Sequence, residues 1–272
     1  MAPIKPAPPT KRKAKILMLH GNCQSGDFFQ IKTKEIRERF HEALCSSLSK
    51  GQDPSFPGGV EFVYPDAPFT IPDNRPVDDV ENNHSFDSLI RESYNDHNYS
   101  ESHIWGYGDI HEVNFLGPES SIPFLRDVIR SDGPFIGVIG FSLGACLAII
   151  LTTLLERENS NKQTGLPKFH HPPLRFTVCF SGFRLSHPAY EAYYTHPIQT
   201  PILHIAGNYD TMIPPAETED LLEICPNGKL VCFDGTHYVP HEEEVTKRVV
   251  EFISESLGWK HGSGIWEDWE DI

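Results

Sequence analysis

Short apolar runs alternate with stretches of helical periodicity along most of this chain. Residues 14–19 (Ala-Lys-Ile-Leu-Met-Leu), 60–64, 135–139, 175–180, 201–206 and 229–233 are runs of five or six residues. Each has Gly, Pro, Asn or Asp near its ends, the length and punctuation of buried strands. Within 31–49, Ile36, Phe40, Ala43, Leu44 and Leu48 recur at helical spacing. Residues 121–130, stopped by Asp132-Gly133-Pro134, and 143–155, 216–224 and 242–257 read as further helices. Strands alternating with helices predict a mostly parallel central sheet covered on both faces, a three-layer α/β domain.

Two stretches break this rhythm. Residues 66–118 are polar, rich in Asn, Asp and His, with Phe69, Trp105, Tyr107 and Phe115 interspersed. A loop-rich insertion of that length is expected to cover a site. Residues 157–174 read as a second polar excursion, a surface loop. No internal repeat is visible. The expected organisation is one domain over 14–258 carrying the 66–118 insertion. A flexible basic, Pro-rich arm precedes it at 1–13, and an acidic tail follows at 259–272.

Composition narrows the function classes. Hydrophobic residues make up 39%, enough for a substantial core. The 23 Lys and Arg against 38 Asp and Glu leave a formal charge of −15. That charge repels phosphate backbones and anionic lipid, so neither nucleic acid nor membrane is an expected partner. No run approaches the ~20 apolar residues of a membrane span. The six cysteines are scattered with no C-x-x-C pair, which fits a reducing, cytoplasmic compartment.

The candidate chemistry begins at Gly140-Phe141-Ser142-Leu143-Gly144, where an apolar run meets a helix-forming one. This is the order of a nucleophile elbow, in which close approach of strand and helix excludes a Cβ from both glycines. A serine hydroxyl needs a base, and the base needs an acid to fix its tautomer. In elbow enzymes these follow the serine in the order acid, then His, at later strand ends. Asp210 lies just past the 201–206 run and His237 just past 229–233. Asp66 lies upstream of the serine, and Asp234 is close enough to His237 in sequence to shape its turn instead. The backbone N–H of Leu143 is one expected oxyanion donor. The loop His20-Gly21-Asn22-Cys23 is expected to supply the other, with Asn22 ahead of Cys23 and His20 holding the loop to the sheet.

Other readings are weaker. Cys23 as nucleophile lacks an elbow and leaves Ser142 unexplained. The His170-His171 pair reads as surface loop. No metal-ligand spacing and no Walker or dinucleotide glycine pattern is present, so neither metal nor cofactor is expected. Trp105 and Tyr107 fit two roles equally: lining an acyl pocket, or pinning the insertion to the core. Cys23, Phe69 and Tyr238 complete the candidate pocket.

With these residues in place, the chain resembles the fungal family of serine hydrolases, the FSH group of α/β-hydrolases. The resemblance runs through Ile16 to Gly21, Tyr64-Pro65-Asp66-Ala67-Pro68, the Trp105 region and Gly133 to Ser142. It continues through Phe180-Ser181-Gly182-Phe183, Gly207-Asn208-Tyr209-Asp210 with Ile213-Pro214, and Gly235 to Pro240. It implies an α/β-hydrolase fold and a triad at Ser142, Asp210 and His237. Leu143 stands where relatives commonly carry Gln, which leaves the backbone donor intact. The resemblance further implies a carboxylesterase or thioesterase acting without a cofactor on a small acyl ester or thioester. Some members release or hydrolyse a polyketide thioester held on an acyl carrier domain of a polyketide synthase, in fungal secondary metabolism. A general cytosolic carboxylesterase is the alternative within that class. A catalytically inactive binding module on the same fold is the alternative outside it.

Overall fold

The computed structural model describes residues 12–49, 56–71, 102–106, 117–159 and 168–258. In chain order the elements are β1 (Ala14–Leu19), α1 (Gly26–Lys32), α2 (Lys34–Ser49), β2 (Val60–Val63), β3 (Phe69–Ile71) and β4 (Ser102–Ile104). Then come α3 (Pro118–Asp132), β5 (Gly137–Phe141), α4 (Leu143–Asn159), β6 (Phe176–Phe180) and α5 (Pro188–Glu191). The last are β7 (Ile202–Gly207), α6 (Pro215–Glu219) running into a 3-10 turn at Asp220–Ile224, β8 (Gly228–Phe233) and α7 (Glu243–Ser256).

Side chains alternate along β1, with Ile16 and Met18 in one core cluster and Leu17 and Leu19 in the other. A strand buried on both faces in this way belongs in the middle of a sheet. The sheet order is β2-β1-β5-β6-β7-β8 and every pairing is parallel. On one face α2 packs against α7, and on the other α3 packs against α4. Helix α4 is buried at every position from Leu143 to Leu155, so its apolar residues surround it rather than forming a stripe.

The chain moves from β1 to β2 on one side, then resumes at β5 on the other. The order therefore reverses between β1 and β5, and in open α/β sheets the crevice for ligands lies outside the strand ends at such a point. The loop after β1 and the elbow after β5 both face it.

Several boundaries differ from the sequence expectations. The 31–49 helix is two helices. Ser25 caps α1 by accepting the Phe28 N–H, and Thr33 separates α1 from α2. The elbow strand runs to Phe141 and excludes Phe135, whose N–H is donated to His171 Nε2 at 2.7 Å rather than to a neighbouring strand. The 157–174 stretch is not simply a surface loop. Helix α4 continues to Asn159, and Phe169, His171 and Leu174 are buried. His171 thus belongs to the interior, while His170 is exposed. Within the insertion, β3 and β4 pair antiparallel in the register Phe69↔Ile104, Ile71↔Ser102. The expected arm at 1–13 is described only from Arg12, and the tail at 259–272 and Tyr107 lie outside the described residues.

Candidate active site

Ser142 follows β5 directly and has φ 53, a left-handed backbone that few residues other than glycine adopt. Its N–H is tied to the Phe180 carbonyl at 2.8 Å. A Cβ on Gly140 would collide with the backbone of Gly144, and one on Gly144 with the carbonyls of Leu19 and His20. Those two glycines therefore permit the turn, and they bring the end of β1 against the start of α4.

The structure brings Ser142, His237 and Asp210 together. Ser142 Oγ donates to His237 Nε2 at 3.0 Å, and His237 Nδ1 donates to Asp210 Oδ2 at 2.7 Å. Because a carboxylate can only accept, the His237 proton resides on Nδ1, and the Nε2 lone pair faces the serine hydroxyl. The Phe141 ring lies 4.9 Å from the imidazole. Asp210 Oδ1 accepts the N–H groups of Met212 and Ile213 at 3.0 and 2.9 Å. Burial pushes its carboxyl group up, but the bonds from His237, Ile213 and Ser181 outweigh that and hold it below the usual carboxylate range. Such a chain gives a serine hydroxyl a base for its proton and gives the resulting imidazolium a counter-charge.

The two carboxylates set aside in the sequence brace loops. Asp66 Oδ1 accepts the Gly26 N–H at 2.7 Å, and Asp234 accepts from Asn208 Nδ2 at 2.9 Å.

The loop after β1 is held from several directions. His20 is fully buried. Its Nδ1 donates to the Gly21 carbonyl and its Nε2 accepts the Ala67 N–H at 3.0 Å. Burial lowers its pKa to about 4, so the ring is neutral and structural. Trp105 Nε1 donates to the His20 carbonyl at 2.8 Å, and the Trp105 N–H to Asn22 Oδ1 at 3.3 Å. The His103 N–H reaches the Gln24 carbonyl at 2.8 Å. Cys23 has φ 56 and is partly buried. Asn22 and Cys23 thus sit in a braced turn, and β1, from which it springs, lies against α4. At the N-terminus of α4, Leu143 N–H has no carbonyl partner within the helix.

Trp105 is fully buried, and its carbonyl accepts from Ser121 Oγ at 2.7 Å. These bonds tie it to the loop after β1 and to α3. Phe69 lies on β3 and is partly buried. Tyr238 packs edge-on against Phe233, and its hydroxyl is committed to Glu242 at 2.7 Å. Among the described residues no group of three or more His, Cys, Asp and Glu could hold a metal ion. No described helix is long and apolar enough to cross a membrane.

One participant was not singled out by sequence reasoning. Ser181 Oγ donates to Asp210 Oδ2 at 2.9 Å. In the sequence it stands after the 175–180 run and within the Phe180-Ser181-Gly182-Phe183 stretch of the family resemblance, which gave it no role.

The family model for serine hydrolases of the FSH1 type matches residues 10–249. The chain belongs to the FSH1 family of serine hydrolases. Family of serine hydrolases 2 from Saccharomyces cerevisiae is 30% identical, over 88% of this chain and 97% of its own length. Esterase OVCA2 of Danio rerio is 28% identical, over 83% of this chain and 90% of its own. The crystal structure of Zea mays acyl-protein thioesterase 2 superposes with a TM-score of 0.52 at 19% identity, covering 93% of this chain and 97% of that one. That likeness is one of fold, and the fold is that of the α/β-hydrolases.

Proposed function

We propose that this family member hydrolyses acyl esters or thioesters with Ser142 as nucleophile, His237 as general base and then acid, and Asp210 as the orienting carboxylate. The observation that carries the reading is the continuous hydrogen-bonded series from Ser142 Oγ through His237 to Asp210. Ser142 Oγ attacks the acyl carbonyl as its proton passes to His237 Nε2. The oxyanion of the tetrahedral intermediate is met by the Leu143 N–H and by Asn22 N–H, each worth about 3 kcal/mol. His237 then protonates the departing alkoxide or thiolate, and the acyl group stays on Ser142. Water, deprotonated by His237, releases the acid and restores the serine.

An alkyl fluorophosphonate should label the wild-type chain and fail to label Ser142→Ala. Labelling that persists in the variant removes Ser142 from the mechanism.

The hydrolase domain is assigned to residues 14–258, with 66–118 as its insertion. Cys23, Cys146, Cys179, Cys225 and Cys232 are free thiols, which supports a reducing, cytoplasmic setting. Within the substrate class we favour a polyketide-type acyl thioester presented by a carrier domain. The support is the resemblance of motifs along the chain. Turnover of a carrier-bound acyl thioester is expected to exceed that of the matched oxygen ester. Equal or lower turnover would assign a general carboxylesterase instead.

A further inference from the structure

Two serines end adjacent strands in the same unusual way. Phe141 and Phe180 are register partners on β5 and β6, and the next residues, Ser142 and Ser181, have φ 53 and 47. Each N–H is bonded across to the following strand, Ser142 to the Phe180 carbonyl and Ser181 to the Ile205 carbonyl, both at 2.8 Å. A left-handed backbone at a residue other than glycine is unfavourable, and it persists where the side chain is needed. Glycine would suit the Ser181 backbone better, yet the chain holds a serine there. The group this costly conformation delivers is the hydroxyl, which is buried and donates to Asp210 Oδ2.

Oδ2 is also the oxygen that accepts the His237 proton donor. Among the described residues, the opposite oxygen, Oδ1, is fixed by the backbone N–H groups of Met212 and Ile213. We propose that Ser181 is a positioning residue for the hydrolysis, its hydroxyl fixing the plane of the Asp210 carboxylate and sharing the charge of Oδ2 with His237. The inference rests on the assignment of Ser142, His237 and Asp210 given above. Without the hydroxyl, Oδ2 keeps His237 as its side-chain partner but loses its second one, so the carboxylate is free to rotate and the imidazole is less well aimed at Ser142 Oγ.

The test uses Ser181→Ala and Ser181→Gly, the latter keeping the left-handed backbone without strain. Turnover of a p-nitrophenyl ester is followed against substrate concentration, with active sites counted by fluorophosphonate. Both variants should lose about tenfold in kcat per active site, with KM little changed. Wild-type kcat per site in Ser181→Gly, or a loss carried by KM instead of kcat, overturns the proposal. Asp210→Asn run alongside separates the two levels. If that variant keeps wild-type turnover, the underlying assignment has failed. If it is inactive while Ser181→Gly is unaffected, only the role of Ser181 has.

Discussion

Asp210 accepts hydrogen bonds on both oxygens and is almost wholly buried. Replacing it with asparagine keeps the shape but offers an NH2 group that cannot accept from His237. The imidazole then loses both its tautomer and its counter-charge. Asp210→Asn should lower kcat by about 10³–10⁴ with the fold retained, measured by ester turnover alongside circular dichroism. Ser142, Asp210 and His237 were legible because each ends an apolar run in the order that elbow chemistry imposes. Ser181 was not, because a serine after a strand is common. Its meaning depends on a contact with a carboxylate twenty-nine positions later.

At the scale of elements, the loop after β1 takes its shape from the insertion's stem. Trp105→Phe preserves a large ring in the core but deletes the donor to the His20 carbonyl. That carbonyl would be left without the partner it has in the buried loop, a loss of about 1–3 kcal/mol. Urea denaturation should report that destabilisation, and ester turnover should fall with it because the braced turn carries Asn22. An unchanged midpoint would show the indole bond to be dispensable. The long strands and α4 were readable from periodicity alone. The pair β3 and β4 was not, since each spans only three residues and its register is imposed by partners such as His20 and Gln24. Helix α1 was missed for a related reason. Of its side chains only Phe29 is a buried hydrophobe, so its apolar spacing carries almost no signal.

The whole molecule holds neutral histidines in its interior, and this sets its response to acid. His20 and His204 are both fully buried, and burial lowers each pKa to about 4. Among the described residues, neither ring nitrogen of His204 has a hydrogen-bond partner. In the unfolded chain both residues take up a proton near pH 6.5. Between that pH and about 4 the unfolded state binds more protons than the folded one, so stability is full at neutral pH and falls as the pH drops through this window. Each histidine contributes up to about 3 kcal/mol to the loss. Urea midpoints measured from pH 7.5 down to 4.5 should decline, and His204→Leu should flatten the decline. A variant with the wild-type slope would show that His204 takes no part. The paired stem has a consequence for how such a chain can change over time. Phe69↔Ile104 and Ile71↔Ser102 tie residues 69–71 to residues 102–104 beside the loop after β1, where His103 pairs with Gln24. Once a loop's ends are fixed, doubling its length costs only about 0.6 kcal/mol. By that measure the length of chain joining β3 to β4 can vary at small cost while the stem keeps its register, so the pairing sets how much this part of the sequence can change without disturbing the sheet.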